Sequence, residues 1–270
     1  MDLNEEIGAR IRQWVAAWPP RPDHNALFRA LRFLGQWRAI VLANIYLARE
    51  GSVVYGGLFK GMKYLERPSQ GLLLARLLGV YEGELHPYFE QFLAEGVDVI
   101  VDVGCAEGYY AVGLARLAPG VVVHAHDIDK TAQSLCAELA RRNGVDDRVL
   151  IGGEFKPSDF EAFAGRRALI LVDAEGAEVD LLDPVQAPAL AGMRIVVETH
   201  DVFRPGAEAA MVERFSATHE ITRVLPRPKA VDFPPWMQEF NDMDLLLASW
   251  ENRDRPTPWL VMRPRQEPAS

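Results

Sequence analysis

Two cysteines in 270 residues, Cys105 and Cys136, are too few for a disulfide framework, and neither stands at a metal-ligand spacing. The chain is therefore expected to work in a reducing compartment, with the cytoplasm as its default location. Positive charge is also scarce: 29 lysines and arginines face 38 aspartates and glutamates, for a formal charge of −9 and a pI near 5.2. A nucleic-acid backbone wants the opposite balance, so no nucleic acid is expected as partner and a small or neutral substrate is. No run of about 18 apolar residues exists to span a bilayer. The acidic start Met1-Asp2-Leu3-Asn4-Glu5-Glu6 lacks the basic and apolar regions of a secretion signal. Internal repeats and low-complexity segments are absent as well. What remains, at 49 % hydrophobic and 25 % charged residues, is an ordinary globular composition, long enough for one large α/β domain and an appendage.

A complete dinucleotide fingerprint is missing too, and the way it fails is informative. Val97, Val99, Ile100, Val101 and Val103 form a short, β-branched apolar run, as a strand covered on both faces should. Gly104 and Gly108 follow, letting the backbone turn sharply before a helix that begins with Ala111, Gly113, Leu114 and Ala115. Gly-x-Gly-x-x-Gly would place a glycine at position 106, where the chain has Ala106, and Asp102 sits just before the turn. An acid there repels a pyrophosphate and suits a ligand carrying an ammonium and a sulfonium. The spelling therefore favours S-adenosylmethionine over NAD.

Upstream, apolar residues at helical spacing predict helices over 3–18 and 25–50, separated by Pro19, Pro20 and Pro22. Together with the glycine-rich stretch from Gly51 to Tyr64 they form a helical extension over residues 1–80, with the main domain over 81–270. Arginines interleave the second helix, and the pair could join two copies of the chain. The glycine-rich stretch reads as a hairpin or as a lid edge whose Lys60 and Lys63 reach an acidic substrate. Helices are expected at 69–78 and 84–94. Tyr81 and Glu82 lie between them, where the chain would pass beside the cofactor.

Downstream, strands are expected at 121–126, 148–151, 168–172, 194–197, 221–225 and 243–248, with helices at 130–143, 158–163 and 206–218. The tail from Arg253 carries four prolines and reads as irregular. Asp127 follows the second strand, 23 residues beyond Gly104, close to the offset at which an acid accepts both hydrogen bonds of a ribose diol. Asp129 reads as the cap of the next helix. Gly152-Gly153-Glu154-Phe155 makes a second glycine turn that would flank an adenine. Asp173-Ala174-Glu175-Gly176-Ala177-Glu178 and Glu198-Thr199-His200-Asp201 end the next two strands, so acids gather at the edge where open α/β sheets bind ligands.

In order and spacing, Asp102-Val-Gly104-Cys105-Ala106-Glu-Gly108, Asp127-Ile128-Asp129, the Asp173-to-Glu178 segment and Glu198-Thr-His200 resemble the class I S-adenosylmethionine-dependent methyltransferases. The Asp-x-Glu-Gly-Ala-Glu segment is most similar to the FkbM-type branch, which includes O-methyltransferases of natural-product and sugar hydroxyls. The resemblance covers about residues 80–250 and leaves the N-terminal helices without a counterpart. It implies a Rossmann-like, seven-stranded, mostly parallel sheet with helices on both faces and its last strand antiparallel. It also implies that Asp102, Gly104, Ala106, Gly108, Asp127 and Glu154 hold the cofactor, and Tyr81, Cys105, Ile128 and Asp173 complete the expected set.

An alcohol needs its proton removed before it attacks a methyl group, so His200 is expected as base, oriented by Asp173 or Glu198. Mg²⁺ on Asp173, Glu198, His200 and Asp201 is an alternative, not favoured because Mg²⁺ prefers an all-oxygen shell. Two rival readings stay open: a cofactor-binding module without catalysis that regulates or scaffolds a partner, and an NAD-linked oxidoreductase.

Overall fold

The computed structural model describes residues 3–68 and 71–265. The two predicted N-terminal helices are present as α1 (Leu3–Ala17) and α2 (His24–Glu50). Asp23 caps α2 by accepting the Ala26 amide at 2.7 Å. α1 buries none of its residues and leans on α2 through the rings of Trp14 and Phe33, 4.7 Å apart. α2 sinks Leu42 and Tyr46 into the main core. The appendage and the main domain therefore share one continuous hydrophobic cluster, running from Leu42 to Val261.

Seven strands make one sheet: β1 (Val99–Val103), β2 (Val122–His126), β3 (Val149–Gly152), β4 (Ala168–Val172), β5 (Arg194–Glu198), β6 (His219–Val224) and β7 (Trp259–Pro264), in the order 3-2-1-4-5-7-6. β1 to β5 pair in parallel, and β7 runs antiparallel to both of its neighbours. Side chains alternate between two cores. Ile100, Leu169 and Leu171 face a layer built from α2, α3 (Leu73–Leu78), α4 (His86–Ala94), α5 (Tyr109–Leu117) and α6 (Lys130–Arg142). Val99, Val101, Val103, Ile170 and Val172 face the turn at Pro157–Phe163, α7 (Glu178–Leu181) and α8 (Ala207–Phe215). This is the Rossmann-like architecture expected, with helices on both faces. Among the described residues no helix is long and apolar enough to cross a membrane.

Three expectations need correction. The segment 243–248 is a helix, α9 (Asp242–Ala248), not a strand. Its short apolar run fits either period, but it contains no β-branched residue, and Asn241 caps it by accepting the Asp244 amide at 3.0 Å. Asp244 then takes two hydrogen bonds from the Arg38 guanidinium, at 2.7 and 2.6 Å, fixing α9 on α2. The proline-bearing tail is irregular only in part: 253–258 are irregular, but Trp259, Leu260, Val261 and Met262 are buried in β7, between β5 and β6, and residues 266–270 lie outside the described residues. Pro258 and Pro264 bound that strand without interrupting it. The stretch from Gly51 to Tyr64 is not a lid but a core hairpin, with one bridge between Val53 and Lys63 and with Phe59, Met62 and Tyr64 fully buried. Phe59 lies against Gly113 of α5, where a Cβ would come within 2.6 Å of the ring. Lys60 and Lys63 are exposed away from the site. The helix expected over 69–78 is described only from Leu73, since Ser69 and Gln70 lie outside the described residues.

Candidate functional site

The register of the sheet puts the acids in one row. Val103 pairs with His126 and with Val172, and Val172 pairs with Val197. The next residue on each strand is Gly104, Asp127, Asp173 and Glu198, so all four stand at the carboxyl edge in one layer. Strand order reverses between β1 and β4, the position where open α/β sheets carry their ligands. There Gly104, at φ +84°, approaches the Asp173 backbone so closely that a Cβ would lie 1.8 Å from its carbonyl oxygen. Only glycine fits both the torsion and the space.

A cavity of about 640 Å³ opens over β1, β2 and β4 and is lined by Gly104, Ala106, Asp127, Ile128, Glu154 and Asp173 from the predicted set. His126 and Phe155 form part of its wall, with ring centroids 4.8 Å apart. Asp127 holds the floor. Its carboxylate accepts the Ala106 amide at 2.9 Å and the Asp129 amide at 2.8 Å, and its carbonyl accepts the Gln133 side chain at 2.6 Å. A carboxylate has about four lone-pair positions, so two backbone amides leave acceptor capacity for a diol. Asp129 caps α6 as expected, accepting the Thr131 amide at 2.8 Å.

Four predicted cofactor residues do not line this cavity. Asp102 is buried within β1, one oxygen lacks any hydrogen-bond partner, and burial pushes its pKa up to about 7 against an opposing hydrogen bond from Ala111. Cys105 and Gly108 lie beneath the turn. Both belong to its packing against Cys136, whose sulfur a Cβ on Gly108 would meet at 2.7 Å. Tyr81 instead lines a second cavity, with the Arg76 guanidinium 4.0 Å from its ring centre.

That second cavity, about 770 Å³, meets the first at Asp173 and Glu175. Acids dominate its wall: Asp173, Glu175, Glu198, Asp201, Glu251 and Asp254, against Arg76, Arg253 and Arg255. The predicted catalytic residues converge at its base. His200 Nε2 lies 3.4 Å from Glu198 Oε2 and 3.6 Å from Asp173 Oδ1, and His200 Nδ1 lies 3.4 Å from Glu178 Oε1. Burial opposes the imidazolium, yet Glu178, Glu198 and Asp173 together raise the His200 pKa to about 10. Burial, reinforced by the charges of Glu198 and Glu82, raises Asp173 well above the carboxylate range. Burial would also raise Glu198, but His200, Arg253 and Thr257 hold it down, to about 2.

Several contributors were invisible in the sequence. Glu178, fully buried, accepts the Gly176 and His200 amides, both at 2.7 Å, and so ties the loop after β4 to the loop after β5. The sequence places it among the acids at the sheet edge without showing these partners. Arg253 bonds Glu82, Glu198 and Glu251, and Lys229 bonds Glu84 and Glu251, so one charged network closes the wall behind the second cavity. No motif marks these residues, because their partners lie up to 171 positions away. One independent signal does mark the site. Among the described residues, four that are not glycine adopt positive φ: Glu82, Ala106, Glu175 and Asn252. The last three line the two cavities and Glu82 binds Arg253, in keeping with strained backbone gathering at functional sites.

No protein-family model matches the chain, and no curated protein does. Solved structures with a related chain path include several whose names say methyltransferase or methylase. An O-methyltransferase from Bacillus cereus, crystallised with S-adenosylhomocysteine (SAH), is 13 % identical over 84 % of this chain and 90 % of its own, with a TM-score of 0.45. An rRNA methylase from Streptococcus thermophilus is 16 % identical over 66 % of this chain and 94 % of its own, at 0.40. The human methyltransferase 10 domain containing protein is 8 % identical over 85 % and 97 %, at 0.45.

Proposed function

We propose that the chain is an S-adenosylmethionine-dependent methyltransferase that methylates a hydroxyl of a small molecule, a sugar or a natural product. One observation carries the reading: two cavities of nucleoside and small-substrate size meet at Asp173 and Glu175, at the switch point of the sheet. Asp127 would take the ribose diol, the His126–Phe155 wall would face the adenine, and Gly104 leaves the room that a bulky donor needs. When bound, S-adenosylmethionine supplies an electrophilic methyl group on a sulfonium.

The rest of the chemistry falls to the protein. Holding an acceptor oxygen in line with the methyl group is worth about 7–11 kcal/mol, and removing its proton about 10² to 10⁴ in rate. Both ring nitrogens of His200 already face carboxylates. Asp173, the cluster member that borders both cavities, is therefore the better proton acceptor, with His200 and Glu198 as its positioning residues. The acidic lining of the second cavity suits a neutral or cationic polyol and repels a phosphate backbone, which supports a small molecule over a nucleic acid.

Titration calorimetry with SAH and with NAD tests the reading. It predicts binding of the sulfur ligand in the micromolar range or tighter, and none of NAD. Binding of NAD alone would overturn it.

A further inference from the structure

The geometry points to a divalent transition-metal site formed by Asp173, Glu198 and His200 at the base of the second cavity, selective for Zn²⁺ or Mn²⁺ over Mg²⁺. These residues each offer one ligand atom, Asp173 Oδ1, Glu198 Oε2 and His200 Nε2, and all three atoms lie within 4.8 Å of one another. The measured separations from the imidazole nitrogen, 3.4 and 3.6 Å, match the edge of a tetrahedron of ligands about 2.1 Å from a central ion, which is about 3.4 Å. Direct hydrogen bonds between the same groups would be shorter, at about 2.7–3.0 Å. Both carboxylate oxygens thus stand at ligand spacing, not hydrogen-bond spacing, from the imidazole nitrogen.

Two further observations fit an ion there. His200 is 5 % exposed, its Nε2 faces the two carboxylates, and Asp173 Oδ1 is a buried oxygen with no hydrogen-bond partner. Behind the imidazole, Glu178 Oε1 stands 3.4 Å from Nδ1 and is itself fixed by the His200 amide. A carboxylate behind a histidine is the usual outer support of a metal-bound imidazole, setting its tautomer and orientation. Glu198 is braced in the same way, its other oxygen being held by Arg253 and Thr257. Three protein ligands leave coordination positions open toward the cavity, as catalytic metal sites do.

The donor set decides the ion. One imidazole with two carboxylates suits Zn²⁺ or Mn²⁺, whereas Mg²⁺ demands a near-octahedral oxygen shell and keeps most of its water. The inference deepens the proposed function and rests on it for the role. An ion here would hold the acceptor oxygen and ease loss of its proton, sharing the task assigned above to Asp173. Binding itself stands on the geometry, so the two readings can fail separately.

The full-length protein, stripped with a chelator, is titrated calorimetrically with Zn²⁺, Mn²⁺ and Mg²⁺, and SAH affinity is measured on the same stripped sample. The expected result is one equivalent of Zn²⁺ and of Mn²⁺, with Mg²⁺ at least tenfold weaker. Asp173→Asn, at the half-exposed ligand, should weaken Mn²⁺ at least tenfold. Glu178→Gln, acting only through the imidazole, should weaken it by less than Asp173→Asn does. Thermal unfolding of each variant separates loss of the site from loss of the fold, and Mn²⁺ signals in electron paramagnetic resonance report coordination without any activity assay. Absence of Zn²⁺ and Mn²⁺ binding, equal or tighter Mg²⁺ binding, or undiminished Mn²⁺ affinity in a folded Asp173→Asn would each overturn the metal site. SAH binding to the stripped protein would leave the cofactor reading standing in every one of those cases.

Discussion

Gly104→Ala and Gly120→Ala form a matched pair, because both glycines have φ +84° and only their surroundings differ. At Gly120 nothing lies within 4 Å of an added Cβ, whereas at Gly104 the Cβ would sit 1.8 Å from the Asp173 carbonyl oxygen and 2.7 Å from its carbon. The torsion costs about 1–2 kcal/mol in both, and the stiffer unfolded chain returns about 0.4–1 kcal/mol. Gly120→Ala should therefore lose about 1 kcal/mol. At Gly104 the clash falls on backbone, so β1 and β4 must part, adding an overpacking cost of about 1–3 kcal/mol or more. At about 2–4 °C per kcal/mol the first variant should melt a few degrees low and the second about 5–15 °C low. Differential scanning calorimetry reads this directly. SAH affinity should fall only in Gly104→Ala, since the shift moves Asp173 at the junction of the cavities. Equal melting losses in the two variants would refute the account of the switch point.

The other perturbations test the walls. Arg253→Met leaves Glu82, Glu198 and Glu251 without their shared cation, and removing one partner of such a buried network costs about 3–5 kcal/mol. Urea denaturation should report that loss, and unchanged stability would contradict the network's role. His86, held low at about pKa 4 by burial and the Lys229 charge, is neutral in the fold. Its ordinary pKa is about 6.5, so the unfolded chain binds the extra proton first. Stability is full above that pH and is lost as pH falls toward 4, by up to about 3 kcal/mol. His86→Asn should flatten that part of the acid profile, and an unchanged slope would exclude His86 as its source.

Much of this is legible in the sequence. β1, β4 and β5 announce themselves through apolar, largely β-branched runs that end in Gly104, Asp173 and Glu198, because strands buried on both faces have little room for anything else. Their shared edge followed from the pattern, as did the helical cap at Asp129. Where period and composition conflicted, tertiary context decided. Met243 to Ala248 is apolar enough for a strand, but Asn241 and the Arg38–Asp244 pair make it a helix on α2. β7 was hidden because its prolines lie at its ends. Asp102 looked like a ligand because it precedes the turn, yet period-two alternation points it into the α5 layer. Arg253 and Lys229 cannot be read at all, and Glu178 reads only as one of the acids at the sheet edge, since their meaning lies in partners brought together only by the fold.

The most direct measurement is photolabelling with S-adenosylmethionine under ultraviolet light, followed by mass spectrometry of the labelled peptide. The account predicts label on the segment from His126 to Pro157, saturable, displaced by SAH and not by NAD. Label confined to residues outside the cavity between β1, β2 and β4, or displacement by NAD alone, would contradict it.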